Sequence, residues 1–197
     1  MEKFSLIENF ANQNGGYITL NDCESIGITK ASLASYARQG KLNRVKNGVY
    51  LLPDSLEDEM FNIQATVPNA IFSHDTALFL HDLIDRDPLQ LTVTIPRGYN
   101  ATNLRKNGVK VYSDVRPHNE VGIVTIKSPY NNDIRVYDAE RSLCDCVKPH
   151  VYMDVGIITD GFKRYIQHDT KDVHKLLMYA KDIGVDERVR RYLEVLL

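Results

Sequence analysis

The stretch TLNDCESIGITKASLASYARQGKLNRVKNGVYLL, residues 19–52, decides the fold of the N-terminal part of the chain. From Ser25 to Leu52 it has no acidic residue and five basic ones, which are Lys30, Arg38, Lys41, Arg44 and Lys46. The whole chain is slightly acidic, with 24 lysines and arginines against 26 aspartates and glutamates. Positive charge that is confined to one segment is typical of a surface that binds a polyanion.

Two short helices are predicted within this stretch. Thr19, followed three residues later by Asp22, suits a capping box, and the helix that it starts is expected to end at Gly27. Thr29 is the predicted N-cap of a second helix, which ends at Gly40. About three residues separate the two helices, which is the spacing of a helix-turn-helix.

The second helix is predicted to present a small, polar face to its surroundings. At about 100° per residue, Leu33 and Ala37 point inward with Ala34 beside them. The opposite side carries Ala31, Ser32, Ser35, Arg38 and Gln39. Small polar side chains allow a helix to approach base edges closely.

A β-hairpin is predicted at Asn47-Gly48, because both residues of a two-residue turn need a positive φ. The register predicted from this turn gives the pairs Lys46–Val49, Val45–Tyr50 and Arg44–Leu51. One face of the hairpin is then apolar, with Val45, Tyr50 and Leu52, and the other is basic, with Arg44 and Lys46.

A further helix is predicted over residues 3–14, whose apolar residues can close over the hairpin to give a winged helix-turn-helix. Its inward residues are Phe4, Ile7, Phe10 and Ala11. The residues predicted to contact double-stranded DNA are Lys30, Ser32, Ser35, Tyr36, Arg38, Gln39, Lys41, Arg44, Lys46 and Asn47. The alternative is that a basic hairpin on a small helical bundle is only a solvated surface.

A domain boundary is predicted at Pro53, because the charge changes sign there. Residues 1–52 hold six basic and four acidic residues, whereas residues 53–197 hold eighteen basic and twenty-two acidic ones. We therefore predict a DNA-binding domain over residues 1–52. Residues 53–197 are predicted to form a second domain that does not bind nucleic acid.

The second domain is predicted to be α+β, with a small sheet and a helical C-terminal part. Alternation of Leu89, Leu91, Val93 and Ile95 with polar residues predicts a half-buried strand that ends at Pro96. Shorter strands are expected near 109–113, 121–126 and 134–137. Helices are expected near 58–67, 73–83, 138–147, 152–167, 171–183 and 186–196. Ser55 or Asp58 is expected to cap the first helix and Asp138 the third, and Val155, Ile158, Phe162 and Tyr165 should face the core from the fourth.

The composition indicates a cytoplasmic protein with a real core. With 43% apolar residues, the chain can bury a sizeable interior. Glu2 and Lys3 are charged and no long apolar run follows them, so neither a signal peptide nor a membrane helix is predicted. Three cysteines, an odd number, fit a reducing compartment.

Two pairs of residues resemble metal ligands. His74-Asp75 and His81-Asp82 lie seven residues apart, or about 10 Å along a helix, which is too far to share one tetrahedral metal ion. Cys144 and Cys146 lie about 200° apart around a helix and cannot easily chelate together. We therefore predict no metal ion and no cofactor.

An enzymatic alternative is a nuclease-like site built from Asp133, Asp138, Glu140, Asp145 and Lys148. Asp138 is better explained as a helix cap, and Glu140 and Arg141 suit an exposed turn. The sequence has no phosphate-binding glycine loop, nucleophile elbow or zincin helix. The prediction is that the protein is not an enzyme.

Three stretches carry a family resemblance. They are GKLNRVKNGVY at 40–50, FSHDTAL at 72–78 and YDAERSLCD at 137–145. In this order they resemble the AbiEi family, the antitoxin component of bacterial abortive-infection toxin–antitoxin pairs. The last two stretches are considerably more specific than the first, because many regulators share such a wing.

The resemblance implies a bifunctional protein. Its N-terminal domain would repress its own operon, and its C-terminal domain would counter a co-encoded nucleotidyltransferase toxin without a stable complex, as a type IV antitoxin does. Because no heptad seam is evident, we expect a mainly monomeric protein, with two copies on an inverted-repeat operator in the nucleoid. Two alternatives stay open: a transcriptional regulator whose C-terminal domain only senses a ligand or dimerises, and a metal-dependent, DNA-targeted nuclease that uses Asp138 or Glu140.

Overall fold

A computed structural model describes residues 2–115 and 118–196. The chain divides into two compact units. The N-terminal unit comprises Met1–Pro68 and Ile126–Ile134, and the C-terminal unit comprises Asn69–Thr125 and Arg135–Leu197. Both combine helices with strands, so the predicted mixed α+β class is confirmed.

The N-terminal unit contains three helices and a three-stranded antiparallel sheet among its described residues before Pro68. The helices are α1 (Glu2–Gln13), α2 (Lys30–Arg38) and α3 (Glu59–Thr66). The strands are β1 (Tyr17–Thr19), β2 (Asn43–Lys46) and β3 (Val49–Leu51), in the order β1-β3-β2. The central strand β3 pairs with β1 on one side and with β2 on the other.

The helix predicted from Thr19 to Gly27 is wrong, because the chain forms consecutive turns there instead of an α-helix. Asp22 accepts hydrogen bonds from both the backbone N–H and the hydroxyl of Thr19, each at 2.7 Å, so half of the predicted capping box forms. The Ser25 hydroxyl then donates to the carbonyl of Asp22 at 2.7 Å. Such local side-chain bonds compete with a regular helix in a short segment.

The predicted hairpin register is correct only next to the turn. Lys46 pairs with Val49 as predicted, but Arg44 pairs with Tyr50 instead of Leu51, because Val45 is an extra residue in β2. Such a bulge shifts every pair beyond it by one residue.

The bulge also changes which residues share a face. Val45 packs in a cluster with Tyr17, Val49 and Leu51, against Phe61 and Ala65 of α3. Tyr50 lies in a different cluster, with Ile7, Ile18, Cys23, Ile28, Leu33 and Leu42. The prediction that Val45 and Tyr50 share one apolar face is therefore wrong, and β3 is buried on both sides.

The N-terminal unit is larger than the predicted domain of residues 1–52, because Asp58 connects later parts of the chain to it. Asp58 caps α3 through Phe61 N–H at 3.1 Å, as predicted. Its other carboxylate oxygen accepts the Ser128 hydroxyl at 2.5 Å and the Asn132 side-chain amide at 2.8 Å. Its backbone N–H donates to the Tyr17 hydroxyl at 2.6 Å. Residues 126–134 therefore belong to this unit.

A five-stranded sheet has the order β6-β5-β4-β8-β7. Its strands are β4 (Ile71–Phe72), β5 (Thr92–Pro96), β6 (Lys110–Asp114), β7 (Ile123–Lys127) and β8 (Asp133–Tyr137). Strand β4 pairs antiparallel with β5 and parallel with β8, and β5 pairs parallel with β6. The half-buried strand predicted over 89–95 is wrong in two ways: β5 begins at Thr92 and is buried on both faces, and Leu89 is exposed. A strand between two neighbours, with helices on its faces, no longer alternates in exposure.

The helices of the C-terminal unit lie close to their predicted positions, except for α5, which was not predicted. They are α4 (His74–Leu80), α5 (Thr102–Lys106), α6 (Ala139–Cys146), α7 (Val155–Gln167), α8 (Val173–Ile183) and α9 (Asp186–Leu196), with a 3₁₀ turn at His118–Glu120. Asp138 caps α6, and Gly184 ends α8 with φ 79°. Ile158, Phe162 and Tyr165 face the core as predicted, whereas Val155 is 67% exposed. Within the described residues, no helix has the length and apolar composition needed to cross a bilayer.

Candidate nucleic-acid interface

Helix α2 is fixed at its start by Thr29, as predicted. The Thr29 side chain accepts a hydrogen bond from Ser32 N–H at 3.2 Å, and the two hydroxyl oxygens lie 2.8 Å apart. Leu33 is fully buried and anchors the helix in the core of the N-terminal unit. A cap and one buried residue thus define which side of α2 faces outward.

The outward side of α2 is small, polar and basic. Lys30, Ala31, Ala34 and Arg38 are exposed, and Ser32 and Ser35 are half-buried. Ala34, which was predicted to lie beside the inward stripe, is therefore on the outer side. Because Ala31 and Ala34 are so small, the part of this face between Lys30 and Arg38 allows close approach to a groove.

Two predicted contact residues at the C-terminal end of α2 are hydrogen bonded to each other. The Gln39 side-chain amide donates to Ser35 Oγ at 3.1 Å, and both residues are at least partly exposed. Beside them, Arg38 Nε donates to the carbonyl of Ala34 at 3.4 Å. The amide oxygen of Gln39 and the terminal nitrogens of Arg38 remain available to a ligand.

Tyr36 and Lys41 have a different setting from the other predicted contacts. The Tyr36 ring packs on Phe4 of α1, with ring centroids 5.0 Å apart. Lys41 Nζ lies 4.9 Å from the Phe4 centroid and 5.8 Å from that of Tyr36, within the range of a cation–π contact. The two side chains therefore fix α2 to α1, and the Lys41 cation stays exposed while doing so.

The hairpin of β2 and β3, called the wing from here on, exposes the remaining predicted contacts. Arg44, Lys46 and Asn47 are all exposed, and Arg44 Nη2 donates to Asn47 Oδ1 at 2.7 Å. The turn needs a glycine, because Gly48 has φ 78° and lies against Leu20. The wing thus exposes the guanidinium of Arg44 and the ammonium of Lys46 beside a short turn that the Arg44–Asn47 hydrogen bond stabilises.

The charges of this surface are not compensated locally. None of Lys30, Arg38, Lys41, Arg44 and Lys46 forms an ion pair with a described residue. No carboxylate lies between Ser25 and Leu52 to repel a phosphate. Such a surface favours a polyanion over a small neutral ligand.

The residues considered for a nuclease-like site serve other purposes in the structure. Asp138 caps α6 through Arg141 N–H at 2.8 Å and pairs with Lys175 at 3.0 Å. Glu140 also pairs with Lys175, at 3.1 Å, and accepts the Tyr165 hydroxyl at 2.9 Å. The exposed pair of Asp133 with Lys127 belongs to the other unit.

The interpretation of Glu140 and Arg141 as an exposed turn is wrong. Glu140 is 5% exposed and Arg141 is 1% exposed. Arg141 donates to Asp145, Asp114 and the carbonyl of His118. Burial lowers the pKa of Arg141, but Asp145, Tyr137 and Asp114 together more than offset this, and the pKa is raised. This cluster was not predicted, although aspartates three residues before and four after Arg141 are a local sign of it in the sequence.

Asp145 is also held by Lys148, whose ammonium lies 2.8 Å from its carboxylate. Lys148 reaches Asp114 as well, at 3.0 Å. Burial raises the pKa of Asp114, but Lys148, the backbone N–H of Val115 and Arg141 together outweigh it, and the pKa is lowered. Asp114 and Asp145 are thus both engaged in ion pairs with Arg141 and Lys148.

The two histidines behave as structural residues. His74 is 2% exposed, has φ 54°, and stacks on Tyr112 with ring centroids 3.9 Å apart. His81 Nε2 lies 2.8 Å from the carbonyl oxygen of Tyr137. Among the described residues, no group of three or more metal-ligating side chains is found.

The buried cysteines are poor nucleophiles. Cys23, Cys144 and Cys146 are all free thiols, and burial raises the pKa of each. A thiol with a raised pKa carries little thiolate near neutral pH. These three cysteines are therefore poor candidates for catalytic residues.

Comparison with solved structures gives a likeness of fold. The chain is similar to the crystal structure of the RV2827C protein from Mycobacterium tuberculosis, with a TM-score of 0.54 and 10% sequence identity. The match covers 98% of this chain and 81% of that one. At this identity the likeness concerns the fold alone. No curated protein matches the chain.

Comparison with family models concerns the candidate interface itself. Residues 5–53 match the family described as "Transcriptional regulator, AbiEi antitoxin". This range contains α2 and the whole wing. The resemblance predicted from the sequence is thus confirmed over these residues, and the N-terminal part of the chain matches the AbiEi antitoxin family of transcriptional regulators.

Proposed function

We propose that this protein is the antitoxin of a bacterial type IV abortive-infection system and represses its own operon through a winged helix-turn-helix in the N-terminal unit. In this arrangement α2 is the recognition helix and enters the major groove. The wing lies along the neighbouring backbone. The first helix of a regular helix-turn-helix is replaced by the turns at residues 20–27.

The observation that carries the DNA-binding half is the unpaired charge on α2 and the wing. Five cations lie in an acid-free segment of a chain that is acidic as a whole. Arg44 and Lys46 would neutralise phosphates, which position the protein but carry no sequence information. Ser32, Ser35, Arg38 and Gln39 would contact base edges.

The antitoxin half rests on the family resemblance. The partner would be a nucleotidyltransferase-like toxin that is countered without a stable complex. The protein would act in the cytoplasm and lie on the nucleoid when it is bound to its operator. No reaction is assigned to the C-terminal unit, since Asp114, Asp138, Glu140 and Asp145 are engaged by Arg141, Lys148 or Lys175.

The operator is proposed to be an inverted repeat. One winged helix contacts few base pairs, and two copies on successive turns of DNA gain affinity and specificity. The free protein should be mainly monomeric, with the two half-sites bringing two copies together. Sedimentation velocity tests this, because a tight dimer in the absence of DNA contradicts it.

The decisive experiment measures affinity for the protein's own promoter against salt concentration, by fluorescence anisotropy with the full chain. Each phosphate contact contributes nearly one unit to the slope of log affinity against log salt. The double variant Arg44→Gln/Lys46→Gln should reduce the slope by about two units. The matched control is Lys163→Gln/Lys181→Gln, which removes two exposed charges from the C-terminal unit.

The control should leave the slope unchanged. An unchanged slope in the wing variant would remove the wing from the contact surface. Equal reductions in both variants would show that the protein binds DNA only by its overall charge. In either case the proposed winged-helix mode would be wrong.

A further inference from the structure

A cavity of about 540 Å³ lies in the C-terminal unit, far in sequence from the candidate DNA surface. It is lined by residues of α7 and α9 and by the segment that follows α6. Sites for small ligands commonly have volumes of about 300–1,000 Å³ and mostly apolar walls. The cavity has the size of such a site.

Most of the residues that line the cavity are apolar, and they include both buried and exposed side chains. Cys146, Val147 and Ile158 are buried and line the inner part. Val155 and Val195 line the outer part and are 67% and 83% exposed. When a ligand covers such exposed aliphatic side chains, the binding free energy becomes more favourable by about 25 cal/mol for each Å² of apolar surface removed from water. An apolar body of a ligand is therefore favoured here.

Each polar residue that lines the cavity is either basic or uncharged. Its basic residues are Lys148, Arg188 and Arg191, and no carboxylate lines it. Lys148 is compensated, because it pairs with both Asp114 and Asp145. The two arginines are exposed on α9 and are not compensated in this way.

Arg188 and Arg191 differ in how they are held. Arg188 Nη1 donates to the carbonyl of Val147 at 3.1 Å, which holds its guanidinium beside the segment that lines the cavity. Arg191 has no hydrogen-bond or ion-pair partner among the described residues. An unpaired guanidinium next to an apolar cavity is complementary to a carboxylate, which it can bind with two hydrogen bonds.

We propose that this cavity binds a small amphipathic anion, namely a carboxylate on an apolar body of about ten carbons. The apolar body lies against Val147, Ile158 and Val155, and the carboxylate pairs with Arg191 beside Arg188. The proposal is independent of the proposed DNA-binding function. It gives the C-terminal unit a ligand site, which is what a ligand-sensing regulator needs.

The test uses the full chain and a fluorescent apolar anion, 1-anilinonaphthalene-8-sulfonate, as the probe. Decanoate and its neutral match 1-decanol compete for the probe. Decanoate should compete with a dissociation constant roughly tenfold lower than that of decanol, because only the carboxylate makes charge-assisted hydrogen bonds. Arg191→Gln should weaken the binding of decanoate roughly tenfold and leave the binding of decanol unchanged.

The matched control is Arg190→Gln, which removes the same charge from the neighbouring exposed residue of α9 that does not line the cavity. It should bind decanoate like the original protein. A second variant, Val155→Glu, places a carboxylate at the exposed mouth and should weaken decanoate more than decanol, by like-charge repulsion.

Three results overturn the proposal. The first is the absence of saturable probe binding. The second is equal weakening in Arg191→Gln and Arg190→Gln, which assigns the effect to overall charge. The third is self-association that depends on protein concentration, that Val155→Glu abolishes and that decanoate does not affect. This result would mean that a second copy of the chain occupies the cavity.

Discussion

Arg141 and Asp145 form a buried ion pair within one turn of α6. Arg141 Nε lies 3.1 Å from both carboxylate oxygens of Asp145, and each side chain is only 1% exposed. Two further charges belong to this cluster. Asp114 pairs with Arg141, and Lys148 pairs with Asp114. Residues 137–145 thus contribute a buried ion-pair cluster to the C-terminal unit.

Replacing Arg141 by methionine should destabilise the protein strongly. The variant leaves Asp145 buried with one cation fewer, and breaking a buried pair in this way costs about 3–5 kcal/mol of unfolding free energy. Urea unfolding measures the loss. The control is Lys127→Met, which breaks an exposed ion pair and should cost less than about 1 kcal/mol. Equal losses in the two variants would contradict the role assigned to Arg141.

His74 should make the protein less stable as the pH falls from 6.5 towards 4. Burial lowers the pKa of His74 to about 4, from 6.5 in the unfolded chain. The unfolded chain therefore takes up a proton first, and stability is lost across this window but not above pH 6.5. For the whole pKa difference between the folded and the unfolded chain, the loss of unfolding free energy is about 3 kcal/mol. Asp145, Lys148, Lys110 and Arg141 also act on this histidine, and the three cations oppose its protonation.

The variant His74→Asn tests this, because asparagine does not titrate and tolerates the positive φ of this position. Its unfolding free energy should fall less between pH 6.5 and 4 than that of the original protein. The exposed His150 provides the matched control, His150→Asn, whose pH dependence should not change. A His74→Asn variant with the original pH dependence would show that other groups cause the loss.

Ser35 and Gln39 should determine which DNA sequence is preferred. Ser35→Ala or Gln39→Ala removes a hydrogen-bonding group from the outer side of α2, where a good base contact contributes about 1–3 kcal/mol of discrimination. Affinities for promoter fragments with single base-pair changes measure this. The control Gln13→Ala changes an exposed glutamine on α1 and should leave the preference intact. Equal weakening on every fragment would mean that α2 contacts only the backbone.

The wing variant Arg44→Gln/Lys46→Gln should separate repression from protection. In cells that carry a promoter reporter and the partner toxin, it should lose repression, because phosphate contacts supply much of the affinity. Growth in the presence of the toxin should persist. Loss of protection together with repression would show that neutralisation works through DNA. The pair Lys163→Gln/Lys181→Gln should keep both functions.

Elements whose signals are local could be predicted from the sequence. Thr29 and Asp138 cap helices as expected, and Gly184 ends α8. Each of these depends on residues within one turn of the chain, where a single side chain decides the outcome. The same holds for the Asn47-Gly48 turn, which fixes only the pair beside it.

Features that depend on distant residues could not be predicted. The bulge at Val45 follows from packing of this residue against α3, which no pattern within the hairpin indicates. Asp58 meets Ser128, which is 70 residues away in the chain. Arg141 is a long charged residue and such residues are usually exposed, so its burial follows only from the positions of Asp114 and Asp145.

The contacts of Asp58 have a consequence for how the protein is made on the ribosome. The N-terminal unit includes residues 126–134, and Gly15 lies so close to Asn132 that a Cβ there would clash with it. A nascent chain that ends after α3 therefore carries Asp58 and the residues proposed to contact DNA, but lacks Ser128 and Asn132, whose side chains donate to the Asp58 carboxylate. The N-terminal unit reaches its full set of contacts only in chains that have been translated through Ile134.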